Sequence, residues 1–581
     1  MGVVMYKTFH EAKERLADIQ AVDFFFAKEV LALINSQNIR LENGSKDILF
    51  HLLIELMSAY SFGHSCIKIK DLAGKTLFAS QDDEQEPREG YKLASYKELL
   101  DILDSIDYAK LPIYFAKEFD SLYIKRLWCY EKEIAEFIKQ KTNKNIACSD
   151  NAKLNEIVSR LFETTEEIDY QKQAVLNSFN YDFSIISGGP GTGKTTTVAK
   201  LLLATQMFND KQQKIALLAP TGKAAQRMTE SLRKTLASGL AFSVIPDSDQ
   251  ESFKYLQNLE AQTIHRFLGL RPNSKYIKYH KEVKAPYDVI IVDEASMLDI
   301  NIFIKLIRSV AEDTKLILLG DINQLPSVEV GGLLASFTIN IEGNIPIYTT
   351  KLLKNYRSQQ NINNLANSVL MGEVSPVEHQ SENIKFYDSK DMEKLLRNYA
   401  DKYKALEKCS SYKEALELLS KFRILVANKN LDISTDRINQ KIERLLGKTV
   451  DSNYKARPIM ITQNSYSLGL FNGDIGIIWS DSSGRLRAYF DGKDDREFSL
   501  NMLPNYETVY AMTIHKTQGS EFDEVAIILP DNDNEALTKQ LIYTAITRAK
   551  RKLDIVSQLK IFNKVIKKSV TRNSNIQHLI E

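Results

Sequence analysis

The chain has 581 residues, more than a single hydrophobic core serves, so three or four domains are expected. Its 44% hydrophobic and 26% charged residues describe an ordinary soluble globular protein. A formal net charge of +1 means that any nucleic-acid partner would have to be met by positive charge gathered on one face.

Cys66, Cys129, Cys148 and Cys409 form no CxxC pair, and no histidine cluster has zinc-ligand spacing. Reduced thiols in a cytoplasmic protein are therefore expected rather than disulfides or a structural metal. The N-terminus lacks a secretory apolar core. The apolar stretch AVDFFFAKEVLALI is broken by Asp23, Lys28 and Glu29, so no membrane span is expected.

In chain order, residues 1–119 read as a mostly helical N-terminal domain, from helical spacing in FFFAKEVLALI and ILFHLLIELMSAY. They hold no catalytic motif and suit a partner-docking role. Residues 120–353 alternate short β-branched runs with helical stretches: FSIISGG, KIALLAP, YDVIIVDEA and TKLILLGD. That pattern predicts an α/β domain with a buried parallel sheet. Residues 354–581 predict a second α/β domain, with FRILVAN and EVAIILP as strands. Within it, at about 451–504, RPIMIT, DIGIIWS, RLRAYF and REFSL are separated by turn signals, as in a small inserted SH3-like β-barrel.

The strongest motif is GGPGTGKT, spanning Gly188, Gly189, Pro190, Gly191, Thr192, Gly193, Lys194 and Thr195, with Thr196 opening the following helix. It fits G-x-x-x-x-G-K-[ST] between a strand and a helix, the context a phosphate-binding loop requires. Glycines let backbone N–H groups approach phosphate, and the helix N-terminus favours negative charge. Lys194 is expected at the β- and γ-phosphates, and the Thr195 hydroxyl on Mg²⁺. In VIIVDEA an apolar strand ends in Asp293, suited to the Mg²⁺ shell, and Glu294, suited to orienting the attacking water. Together these predict a P-loop ATPase and nothing narrower.

Further segments follow in order: LAPTGKAAQRM, TIHRFLG, LLGDINQLPSV, LLKNYRS, YAMTIHKTQGSEFDEV and LIYTAITRAK. The series resembles that of superfamily 1 helicases, implying two RecA-like motor domains with ATP between them. The resemblance makes Gln324 a γ-phosphate sensor and Arg357 and Arg548 arginine-finger candidates, each alternatively a surface ion pair. Gln171 resembles an adenine-reading glutamine, and Glu521 a ribose contact. Thr221, Lys223, His265, Thr513, His515 and Lys516 fall in segments that line the single-stranded DNA track in this superfamily. Packed core histidines and solvated lysines remain the alternatives there.

The segments ISGGPGTGKTTTVAKLL, APTGKAAQRMTESL, VDEASMLD, SLGLFNGDIGI, AMTIHKTQGSEFD and LYIKRLWCYEKEIA resemble the RecD family over about residues 110–558 and weakly before that. That resemblance implies a 5′-to-3′ motor in a heterotrimer with RecB and RecC (exodeoxyribonuclease V). Such a motor acts on single-stranded DNA and duplex ends in recombinational repair. The N-terminal domain would contact RecC and RecB would hold the nuclease. No carboxylate cluster beyond the ATP site suggests a nuclease in this chain. The alternatives are a stand-alone RecD-like helicase and a catalytically silent scaffold. Helix-hairpin-helix elements, found in the stand-alone type, are not seen in residues 1–110. Intact Lys194, Thr195, Asp293, Glu294, Arg357 and Arg548 argue against the scaffold.

Overall fold

Uninterrupted aliphatic runs must be covered on both faces, and this requirement organises most of the chain. The computed structural model describes residues 6–36, 41–80, 87–143, 151–162, 168–238, 250–271, 274–354, 360–427, 433–450, 452–465, 467–491, 496–532, 534 and 536–581.

In the N-terminal unit, the helices Ala21–Ser36, Asn43–Ser61 and Tyr96–Asp104 share one core with Leu49, Phe50, Leu52 and Leu53 at its centre. Strands accompany them: β1 (Cys66–Lys68), the short hairpin β2 (Thr76–Leu77) and β3 (Tyr91–Lys92), β4 (Ile113–Ala116) and β5 (Ser121–Ile124). β1, β5 and β4 form an antiparallel sheet in that order. Helices make up most of the ordered elements of this region, and the small strands were not expected, because strands of two to four residues are too short to show a period. The β4–β5 hairpin also crosses the expected boundary at 119/120, with Tyr114 opposite Tyr123. The helix Lys125–Asn143 then leads into the first α/β unit, the first motor unit expected from the resemblance.

That unit is built on β6 (Phe183–Gly188), β7 (Ile215–Ala219), β8 (Gln262–Thr263), β9 (Val289–Val292), β10 (Lys315–Gly320) and β11 (Thr349–Leu352). They form one parallel sheet in the order β11-β6-β10-β9-β7-β8. Alternate residues feed two cores. Ile185, Leu218, Ile290 and Leu318 point to one, and Ile186, Leu217, Ile291 and Leu319 to the other.

β12 (Ile384–Tyr387) and β13 (Phe422–Val426) begin a second sheet. The chain then leaves it for β14 (Pro458–Ile461), β15 (Ile475–Ser480), β16 (Leu486–Phe490), β17 (Arg496–Ser499) and β18 (Tyr506–Thr508). It returns as β19 (Ala511–Thr513), β20 (Phe522–Ile528) and β21 (Ala549–Val556), completing a parallel sheet in the order β12-β21-β20-β13-β19.

The excursion forms an antiparallel sheet in the order β17-β16-β15-β14-β18. The expected closed barrel is not seen: among the described residues its edges β17 and β18 do not pair. Both faces of the sheet are covered. Ile477, Trp479 and Tyr489 pack on the motor unit, where the Tyr489 ring stacks on Tyr412 at 4.1 Å between centroids. Ile478, Ala488 and Phe490 fill a small core on the other face. Phe498 of β17 and Tyr506 of β18 pack against that small core from the two edges of the sheet.

Among the described residues no helix is long and apolar enough to cross a membrane.

Candidate active site

The C-terminal ends of β6, β9 and β10 lie side by side in the first sheet, and each carries chemistry. β6 runs into the glycine loop, where Gly191 and Gly193 have φ of 81° and 83°, values L side chains avoid. A Cβ on Gly188 would stand 2.5 Å from the Thr192 hydroxyl, so that position also excludes a side chain. Gly193 caps the helix Lys194–Phe208, which points its N-terminus into the loop. Thr195 and Thr196 lie in its first turn and line the same cleft. The Lys194 ammonium donates to the carbonyls of Gly188 at 2.6 Å and Gly189 at 3.1 Å. The Gln171 amide donates to the Thr192 carbonyl at 3.4 Å.

β9 ends in Asp293 and Glu294. Burial, then the neighbouring Glu294, pushes the Asp293 carboxyl up to about 6. Glu294 itself sits at φ 52°, ψ 40°. A non-glycine residue in the left-handed region is strained by about 1–3 kcal/mol, a cost found clustered at functional sites. β10 ends at buried Asp321, which accepts from the Gln324 amide at 3.2 Å and from the Tyr543 hydroxyl at 3.0 Å.

Tyr543 belongs to the second motor unit, and its contact is one of several across the junction. The Leu325 N–H donates to the Thr544 hydroxyl at 2.9 Å, and the Gln518 amide donates to the Leu325 carbonyl at 3.0 Å. A cleft of about 1560 Å³ lies between the units, lined by Gln171, Lys194, Asp293, Glu294, Gln324, Glu521 and Arg548 among others. Arg548 is 2% exposed and donates to the carbonyls of Thr544 and Ser520, each at 3.0 Å. Burial lowers its pKa, and Glu294 and Glu521 oppose that shift. Arg357 lies outside the described residues.

The DNA-track candidates divide by location. The Thr221 hydroxyl caps the helix Gly222–Ala237, accepting from the Ala224 N–H at 3.2 Å. Burial, then Arg423 and Arg227, pushes the Lys223 ammonium down to about 8. From the second unit, Thr513 ends β19, His515 is half-buried, and Lys516 pairs with Glu507 at 2.7 Å. These two groups flank one junction: a Cβ on Gly519 would stand 3.5 Å from that of Ala224. His265 stands exposed beyond β8, one strand further out, where Thr263 pairs with Ala219.

Residues 171–330 match the family described as AAA domain, and residues 508–556 match the UvrD-like helicase C-terminal domain. The RecBCD enzyme subunit RecD of Mycolicibacterium smegmatis is 33% identical, over 79% of this chain and 82% of its own length. The chain belongs to the RecD family. The Haemophilus influenzae RecBCD enzyme subunit RecD agrees, at 31% identity over 80% of this chain and 81% of that one. The ATP-dependent RecD2 DNA helicase of Deinococcus radiodurans is 28% identical, over 63% of this chain but only 46% of its own. As a RecD-family chain this is a superfamily 1 helicase, and its cleft is that of a nucleotide-using motor.

Sequence reasoning missed three groups at the junction of the two units. Asp321 was hidden inside LLGDINQ, Tyr543 inside LIYTAITRAK and Arg227 inside LAPTGKAAQRM. Each lies within a recognised segment, yet its partner is remote in sequence, so no local pattern marks it.

Proposed function

We propose that the chain is an ATP-dependent 5′-to-3′ single-stranded DNA translocase and helicase. In this reading it works as the RecD subunit beside RecB and RecC in exodeoxyribonuclease V, at duplex ends during double-strand-break repair. One observation carries the motor: the phosphate loop and strand-end acids of the first unit face Arg548 of the second across one cleft. Lys194 exchanges its bonds to loop carbonyls for the β- and γ-phosphates. Glu294 orients the attacking water and Gln324 senses the γ-phosphate. Arg548, with Arg357, stabilises charge developing on the transferred group. Gln171 reads the adenine edge and Glu521 meets the ribose.

Thr195 and Asp293 offer only oxygen donors, and Asp293 is an acid whose buried charge a cation would stabilise, so the donor set fits Mg²⁺. When bound, that ion neutralises charge on the phosphate oxygens. Thr221, Lys223, His265, Thr513, His515 and Lys516 form the track for DNA in the same reading.

Partner docking by the N-terminal unit is supported by Val22, Phe25 and Leu33 on the helix Ala21–Ser36, 53%, 58% and 42% exposed. They lie within one quadrant of the helix, a face that an assembly would cover.

The test is the ATPase rate with and without single-stranded DNA, then mass photometry with RecB and RecC. Strong stimulation and a 1:1:1 complex are expected. Stimulation without assembly would replace the subunit reading with a stand-alone motor, and absence of stimulation would remove DNA translocation.

A further inference from the structure

Arg227 reaches from the first motor unit to the second. It lies on the helix Gly222–Ala237, one turn beyond Lys223. One guanidinium nitrogen donates to the Gly519 carbonyl, and the other pairs with Glu521 at 3.1 Å. Glu521 is only 11% exposed at its side chain and is also approached by Lys550 at 3.6 Å. Two donors on a rigid plane and two acceptors on one short loop make an orientation-specific contact, which a point charge would not reproduce.

The two ends of this contact share a layout. On the helix, Thr221 and Lys223 stand at the proposed DNA track, and Arg227 stands at the cleft. On the loop, Thr513, His515 and Lys516 stand at the track, and Gly519 and Glu521 stand at the cleft. Each segment thus runs from the DNA side to the nucleotide side, and Arg227 ties the two together at the nucleotide end. A DNA strand that shifts one segment relative to the other must move or strain this tie. The charge of Arg227 is also felt by Asp293 and Arg548, so a displacement changes the field at the reacting groups.

We propose that the Arg227 contact with Gly519 and Glu521 is a coupling element that transmits single-stranded DNA binding to the ATP cleft. Arg227 is a positioning residue in this scheme. The proposal rests on the helicase reading above, and the experiment separates the two.

Full-length wild type, Arg227→Ala and Arg227→Lys are compared for kcat and KM of ATP hydrolysis, without DNA and at saturating oligo-dT. Coupling between sites commonly amounts to roughly 5- to 150-fold. The expected result for Arg227→Ala is a stimulation ratio, with DNA over without, lowered about tenfold. Its DNA-free kcat should fall far less. Arg227→Lys should recover the ratio only in part, because lysine keeps the charge but not the paired donors. Thermal unfolding of both variants, with and without an ATP analogue, checks that the fold is retained. An equal fall of both rates, or an unchanged ratio, overturns the coupling role while leaving the helicase reading intact. Absence of DNA stimulation in the wild type overturns the helicase reading, and the coupling with it.

Discussion

The sheets of the first and second motor units are both parallel and buried on two faces, yet they bring different groups to the cleft. β6 delivers glycine amides and a helix N-terminus, and β9 and β10 deliver Asp293, Glu294 and Asp321. The second unit delivers Arg548 and Lys550 at the start of β21, with Glu521 ahead of β20. In the function proposed above, the first unit holds the phosphate chain and the second adds Arg548 across the cleft. The fold is shared, so the division of labour resides in loops and strand ends.

The largest effect should come from the first unit. Lys194→Gln should abolish turnover with the fold intact, and normal turnover would remove the phosphate assignment. Glu294→Gln should bind ATP without hydrolysing it, which a fluorescent nucleotide and a phosphate-release assay read separately.

Next comes the second unit's cation. Arg548→Ala should lower kcat by on the order of 10³-fold. A loss under tenfold would make the second unit a cover rather than a chemical partner.

Smaller still is the effect of one of the bonds that join the units. Tyr543→Phe strips the buried Asp321 carboxylate of one donor and leaves it the Gln324 amide and the Asn323 N–H. A lost donor to a buried acid costs about 1–3 kcal/mol, so kcat/KM should fall roughly tenfold. No change would mean that the units are held together elsewhere.

The smallest effect should be in the N-terminal unit, away from the cleft. Burial, then Asp23, pushes the Glu55 carboxyl up to about 7. A raised acid favours the folded state fully below its unfolded value of 4.5, and that contribution disappears as pH rises through about 7. Glu55→Gln should therefore raise the unfolding temperature at pH 8, by a stability gain on the order of 1 kcal/mol given its partial exposure. It should do nothing at pH 4, and ATPase activity should not move. A destabilised variant at pH 8 would refute the assignment.

Much of the site can be read directly from the chain. A strand, a glycine loop and a helix N-terminus are consecutive, so GGPGTGKT and VIIVDEA announce their geometry within a few residues. The insertion was legible as strands but not as a shape. Its packing rests on contacts remote in sequence, such as Tyr412 stacked on Tyr489 some 77 residues later. The N-terminal sheet was hidden because its strands are shorter than the window in which alternation can be seen.

The sequence by itself determined the two parallel sheets, the phosphate loop, the strand-end acids and the motif series of the family. All of these are written in local composition and spacing. Only the tertiary structure decided which groups meet. Asp321 and Tyr543 are 222 residues apart, and Arg227 and Gly519 are 292 apart. The C-terminal tail returns so that Ser574 and Asn575 donate to buried Glu131, more than 440 residues earlier. Contacts at such separations leave no period in the sequence. They form when buried sheets and helices bring their loops together, because a buried polar group must find its partner wherever the packing has placed one.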